Sequence, residues 1–435
     1  MNQDDIILKV DEKPGNAQWF GLSFQHLFAM FGSTVLVPII VGINPAIALL
    51  SSGLGTLAHM SVTRFKVPAY MGSSFAYIGA MTLLMKHGGM PAIAQGAMTG
   101  GLVYLLVALI IRFAGRDWID KVLPPIVVGP IVMVIGLNLA PTAINDAMYK
   151  DTANLTGYSL AFLVIALITV LSIVVYSIYG KGFFSVVPIL LGIITGYVAA
   201  LIIGKLTGQT IVSFSGVAQA HWLSVPPVEI PFASYHWAFY PSAILTMAPI
   251  AFVTMTEHFG HIMVLNSLTG KDYFREPGLD KTLSGDGVAQ IIAGFLGAPP
   301  VTSYGENIGV MAITKIHSIY VIAGAAALAV VISFIGKITA LLHSIPAPVI
   351  GGASIALFGV IAASGLKILV ENKVNFDVKR NLLISSVVLV IGIGGMVIDI
   401  SYGTHSLQVS PVAIATILGI LLNLILPDEE KTTKA

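Results

Sequence analysis

Apolar residues along this chain come in long unbroken runs rather than at the alternating or three-to-four spacing of half-buried elements. About twenty consecutive apolar residues carry a helix across a bilayer. Runs of that kind, divided by short polar or Gly/Pro breaks, predict spans at residues 20–41, 45–63, 68–85, 91–113, 122–140, 158–178, 183–204, 241–267, 284–297, 300–315, 318–336, 345–366, 381–400 and 408–426. Lys and Arg test the count, because they collect in cytoplasmic loops. With the N-terminus inside, 18 of the 22 fall on inner segments, among them Arg64, Arg116, Lys271, Lys315, Lys373, Lys431 and Lys434, and only Lys86, Lys150, Lys205 and Lys337 fall outside. Removing any middle span would scramble that alternation, so fourteen spans with both termini cytoplasmic are expected. The polar stretch before Asn16, with Asp4, Asp5, Asp11 and Glu12, lacks the features of a signal peptide and reads as a solvated tail.

Two spans cannot be plain helices. From Gly287 to Thr314 the only charge is Glu306, yet the alternation asks this stretch to cross twice. Pro299-Pro300 and Gly305 mark a break there, as Pro68, Gly72 and Ser73-Ser74 do in the third span. Non-helical backbone is tolerated in lipid only where protein or a watery cavity satisfies it, so broken spans point to a binding site. The breaks also echo one another: Pro68 to Phe75 parallels Pro300 to Asn307, and Pro124-Pro125 before Gly129 parallels Pro346-Ala347-Pro348 before Gly351. Seven spans per half would put the second half upside down relative to the first. The expected fold class is therefore an all-α polytopic membrane protein: fourteen transmembrane segments in a 7+7 inverted repeat, with short extended pieces in two broken spans.

Composition agrees, at 56% hydrophobic, 10% charged and a mean hydropathy of +0.90; soluble domains carry about a quarter charged residues. The net charge of +1 gives no reason to expect nucleic acid, and the absence of cysteine removes disulfides and thiolate catalysis. No nucleophile or metal constellation suggests an enzyme or a cofactor, and no repeated polar rings suggest a channel.

The candidate chemistry lies in charges set within apolar sequence. A carboxylate at mid-membrane costs at least ~2.5–3.5 kcal/mol and so marks a site by default. Glu257 and Glu306 stand out, with Asp399, near a span end, a weaker third. The competing explanation is a structural ion pair, but neither span holds a Lys or Arg except Lys315 at its end. Glu257 and His261 are four apart and share a helix face, where they could share a proton. His258 and His261 do not follow the His-Glu-x-x-His order of a zinc site, so no metal is expected. His26 reads as a helix-packing histidine. Gly305 frees the backbone before Glu306, with a helix starting at about Asn307, and its N-terminus would offer unpaired N–H groups to a cavity. Two carboxylate acceptors and backbone donors around Ser74 and Phe75 suit a planar imide ring, though sugars and amino acids also carry such groups.

These residues resemble the nucleobase–ascorbate transporters, or nucleobase-cation symporter-2 family, and within it the uracil permeases. Glu306, Asn307, Gly309, Thr314 and Lys315 fill the family signature, with further likeness in Gln25 to Gly32, Gly72 to Ala76, and Glu257 to His261. The resemblance covers nearly the whole chain. It implies a proton-coupled symporter that imports uracil by alternating access, or alternatively a permease for a purine such as xanthine or urate. It implies that Glu257 and Glu306 bond the ring, that the N–H groups of Phe75 and Gly305 serve its carbonyls, and that His261 tunes proton coupling at Glu257. Ser74, Tyr304 and Asn307 would flank the site, with Phe358 as an aromatic wall. The implied partners are uracil, protons, the lipid bilayer and a second copy joined through a gate domain, in the cytoplasmic (inner) membrane. The implied division is a cytoplasmic tail at 1–18, a core domain at 19–113 and 241–336, a gate domain at 114–204 and 337–427, an external loop at 205–240, and a second tail at 428–435.

Overall fold

The computed structural model describes residues 6–152, 154–402 and 405–427; the second expected tail, with Lys431 and Lys434, lies outside them. The first half holds helices α1 (Asn16–Val41), α2 (Pro45–Val62), α3 (Ile78–Lys86), α4 (Gly89–Ala114), α5 (Pro125–Asn138), α6 (Leu160–Tyr179) and α7 (Pro188–Thr207). The second holds α8 (Pro241–Thr269), α9 (Leu279–Phe295), α10 (Gly305–Thr314), α11 (Ile319–Ser333), α12 (Ala347–Glu371), α13 (Lys379–Ile393) and α14 (Pro411–Ile425). Short helical turns link them, and six strands form three two-stranded sheets: β1 (Met71–Ser73) with β4 (Val301–Ser303), β2 (Tyr149–Asp151) with β3 (Thr156–Tyr158), and β5 (Ile398–Tyr402) with β6 (His405–Val409).

Local sequence explains the helix starts. Proline opens α2, α5, α7, α8 and α14, where its missing N–H costs nothing. The side chains of Asn44, Ser159 and Ser410 accept from backbone N–H groups in the first turns of α2, α6 and α14.

The molecule is apolar outside and encloses polar side chains within a largely apolar core. On α4, Leu102, Leu106, Leu109 and Phe113 form one exposed stripe at helical spacing, while Ser52, Thr56, His59, Asp286 and Gln290 are buried. A helix in a water-soluble protein turns its apolar stripe inward; these helices turn it toward lipid. Seven helical segments among the described residues are long and apolar enough to cross a membrane. The 29-residue α8 is not among them, because Thr254, Thr256, Glu257, His258 and His261 dilute its apolar run.

The packing pairs come in matched sets. α4 lies against α9 as α11 lies against α2, and α1 meets α11 as α8 meets α4. Likewise α5–α13 answers α12–α6, α6–α7 answers α13–α14, and α1–α7 answers α8–α14. Contact between α4 and α9 is backbone to backbone: a Cβ on Gly101 would lie 2.5 Å from the Gly287 carbonyl oxygen, and one on Gly287 2.8 Å from that of Gly101. Small residues allow such approach where lipid leaves no hydrophobic drive between helices.

Each expected span coincides with a helix or with a strand followed by a helix, but four details differ. The ninth helix begins at Leu279 rather than at 284, which takes Asp286 into its second turn. α10 begins at Gly305 rather than Asn307, so Glu306 sits in its first turn. α13 stops at Ile393, where Gly394 and Gly395 lead into the β5–β6 hairpin. Asp399 therefore lies on an exposed hairpin and not in a span, bonded by Gln408 Nε2 at 2.9 Å. The N-terminal stretch is not simply solvated: Ile7 N donates to Lys315 O, His317 N to Leu8 O and Ile319 N to Val10 O at 2.8–3.0 Å, and Val10 is buried. Leu8 and Val10, either side of exposed Lys9, turn inward as alternate residues of an extended segment do, against the α10–α11 link.

Candidate substrate-binding site

The broken spans meet at the β1–β4 pair. Met71 faces Ser303, Gly72 faces Thr302 and Ser73 faces Val301 in antiparallel register. The pairing extends beyond the strands, with Ser74 N donating to Pro300 O at 2.8 Å and Tyr304 N to Tyr70 O at 2.9 Å. On the outer edge of β1, Ser52 Oγ donates to Met71 O and Thr56 Oγ1 accepts from Met71 N at 2.9 Å. Helix α2 thus supplies the partners that lipid could not. Gly72 is required by its neighbour, since a Cβ there would sit 2.3 Å from Cζ of the Tyr304 ring. The Tyr304 hydroxyl then donates to Ser73 O at 2.8 Å.

Each strand leads into a helix start. Phe75, half-buried, opens a 3-10 turn (Phe75–Tyr77) ahead of α3, and Gly305 opens α10. N–H groups in such first positions have no intrahelical acceptor and carry the positive end of the helix dipole. Ser74, buried, caps the 3-10 turn in extended conformation.

Glu306 is half-buried, and Ser33 Oγ of α1 donates to its Oε1 at 2.9 Å. Glu306 lines a cavity of about 200 Å³ with Ala29 of α1, Gly309, Val310 and Ile313 of α10, Ser185 just before α7, and Pro188 and Ile189 at the start of α7. Glu257, midway along α8, is exposed to open space, as is Gly260 one turn on. It lies within electrostatic reach of Glu306 and Asp286. His261 shares the α8 face of Glu257, but among the described residues no ion pair joins them. Its ring turns to β4, with Nδ1 3.1 Å from Ser303 Oγ, and Nε2 would be 3.0 Å from a Cβ on Gly305.

Asn307 is fully buried and saturated. Its Nδ2 donates to Pro68 O at 3.1 Å, and its Oδ1 lies 3.1 Å from His26 Nδ1. Since Oδ1 only accepts, His26 must carry its proton on Nδ1. Its other ring nitrogen, Nε2, is buried with no partner among the described residues. Phe358 is buried in α12, with its carbonyl 2.4 Å from where a Cβ on Gly136 of α5 would stand.

Three participants escape a reading of the sequence. Ser33 is one serine among many in an apolar run. Asp286, in Gly285-Asp286-Gly287, reads as loop-proximal until α9 is seen to start a turn earlier. His59 gains meaning only from Asp286: the carboxylate lies 3.0 Å from His59 Nδ1 and 2.9 Å from His258 Nδ1, all three side chains fully buried.

Two broken helices joined through paired strands, with carboxylates set beside them inside an envelope that is apolar outside, define a membrane transporter of the discontinuous-helix class. The chain belongs to the Xan_ur_permease family, described as a permease family, whose model matches residues 17–400. Among its relatives are uracil permeases of Bacillus subtilis (strain 168), 48% identical over 99% of this chain and 98% of that one, of Bacillus caldolyticus, 49% identical over 97% and 95%, and of Escherichia coli (strain K12), 41% identical over 96% and 93%. Relatives of this kind are permeases, and the chain is an integral membrane transporter, not an enzyme. The fold is shared with the transmembrane domain of a cyanobacterium bicarbonate transporter, BicA, at TM-score 0.64 and 14% identity over 96% of this chain and all of that one. It is shared too with SLC26A9, at TM-score 0.67 and 12% identity over 98% of this chain and 66% of that one.

Proposed function

We propose that the protein imports uracil across the cytoplasmic (inner) membrane together with protons, by alternating access. The observation that carries the reading is that Glu257 and Glu306 lie within electrostatic reach of each other, Glu306 at the start of α10, in a chain nearly half identical to a uracil permease over its whole length. Uracil presents ring N–H donors and two carbonyl acceptors. In the proposed pose Glu257 and Glu306 accept from the ring, while the N–H groups of Phe75 and Gly305 donate to its carbonyls. Ser74, Tyr304 and Asn307 act as frame, since the Tyr304 hydroxyl and the Asn307 amide are already engaged. Phe358 closes one side of the crevice from α12. His261 adjusts the proton affinity of Glu257 through their shared face.

The matched packing pairs support fourteen spans in a 7+7 inverted repeat, with αn and αn+7 as counterparts. They support a core of α1–α4 and α8–α11 and a gate of α5–α7 and α12–α14. The Glu306 cavity runs along α10 to Ile313, next to Lys315, the end that the Lys/Arg pattern assigns to the cytoplasm; it is the proposed inward route. Both termini are then cytoplasmic, and two copies pair through the gate.

Uptake of radiolabelled uracil into proteoliposomes tests the reading. Accumulation should need an inward proton gradient, fall as external pH rises from about 6 to 8, where imidazoles and buried carboxylates titrate, and resist excess unlabelled xanthine. Accumulation without a gradient would remove the proton, and equal competition by xanthine would favour the purine alternative.

A further inference from the structure

We infer that Asp286, His59 and His258 form a buried proton-holding cluster through which the coupling proton passes between the binding crevice and the cytoplasmic end of α2. The inference rests on the proton-coupled reading above. Asp286 projects from α9 between α2 and α8, with its two oxygens 3.0 and 2.9 Å from the two imidazoles. At those distances attraction of charge holds the carboxylate between the two rings. The other titratable groups facing it are Tyr104 from α4 and Glu257 and His261 from α8. Among the described residues no Lys or Arg pairs with it, and the three side chains do not form a metal-holding group. A lone ionised carboxylate in such a place costs several kcal/mol. The cluster therefore keeps one proton more than two neutral rings would hold.

Ser303 of β4 joins this cluster to the crevice. Its Oγ lies 3.1 Å from His261 Nδ1 and 3.3 Å from His258 Nδ1. A hydroxyl can accept from one ring while donating to the other. When His261, carrying a proton on each ring nitrogen, gives its Nδ1 proton to Ser303, the serine's own proton moves to His258 Nδ1 and the cluster's extra proton leaves from His59 Nε2, so His261 ends neutral and His59 keeps its Nδ1 proton. One proton enters the cluster and one departs, so the charge of the cluster is unchanged. His59 Nε2 is buried without a partner, in the last turn of α2, five residues before the exposed Arg64. α2 ends three residues on, at Val62, so the ring stands one turn from the end of that helix.

The test uses proteoliposomes with an entrapped pH dye and the variants His59→Gln and Asp286→Asn. Glutamine keeps a donor beside Asp286 but takes up no proton. His59→Gln should bind uracil and perform uracil counterflow within threefold of the parent, yet lose uracil-evoked proton flux and concentrative uptake at least tenfold, with a flattened pH profile. Asp286→Asn should lose the flux likewise. Parent-rate proton flux in His59→Gln overturns the inference, as does loss of binding in parallel with flux, which would make the cluster a structural tie. Uracil transport by the parent itself without any proton flux would instead bring down the proton-coupled reading.

Discussion

Among single residues, the demands on Glu306 and Asn307 differ in kind. The Glu306 carboxylate keeps open acceptor capacity after taking one bond from Ser33. Glu306→Gln replaces part of that capacity with a donor and leaves a ligand N–H facing a poor partner; a charged hydrogen bond is worth about 1.5–3 kcal/mol. Equilibrium binding of labelled uracil should weaken at least tenfold, and unchanged binding in well-folded protein would take Glu306 out of the pocket. Asn307→Ala removes nothing from the pocket but strips His26 Nδ1 and Pro68 O of their partners. Unsatisfied buried groups cost about 1–3 kcal/mol each, so the melting temperature in detergent should drop clearly, with a smaller loss of affinity. The two glutamates were legible because a charge in an apolar run is rare. Asp286 was not, because its significance depends on where α9 begins and on a histidine more than two hundred positions away.

For the elements, the short strands follow from the same logic that made them visible. Proline and glycine announced both breaks, and the β1–β4 pair is what satisfies the backbone they free. Their mutual pairing could not be read from sequence, since three-residue strands carry no alternation to register. The β5–β6 hairpin was missed for a related reason: Ile398 and Ile400 continue the apolar texture of α13, and only Gly394-Gly395 hints at its end. The crossing depends on Gly72. Gly72→Ala would press on the Tyr304 ring and break its bond to Ser73 O, displacing the start of α10 that carries Glu306. Uracil affinity should fall at least tenfold, while Tyr304→Phe, which loses only the hydroxyl bond, should fall a few-fold, in line with about 0.5–1.5 kcal/mol for one neutral bond. Gly72→Ala with parent affinity would mean that the strand crossing does not set the site.

Across the whole molecule, the proposed alternating access requires one helix bundle to move against the other, and the structure offers a place to test for that movement. Helix α1 carries Ser33, which holds Glu306, and α7, assigned above to the proposed gate, carries Ile189, which walls the same cavity. Their contact is close: a Cβ on Gly32 would stand 3.6 Å from Ile189 Cβ. Paired cysteines in proteins have Cβ atoms about 3.5–4.5 Å apart, and the chain has no cysteine of its own to confuse the result. The double change Gly32→Cys with Ile189→Cys should therefore cross-link under mild oxidation. If the two bundles rock, the oxidised protein should lose more than nine-tenths of its uracil uptake and regain it on reduction, while each single-cysteine protein ignores the oxidant. Binding from the cytoplasmic side should persist in the oxidised form, because the cavity beside Glu306 is present in the conformation that the cross-link captures. Full transport by the oxidised, fully cross-linked protein would mean that α1 and α7 travel together, and the moving boundary would have to be sought elsewhere than between them.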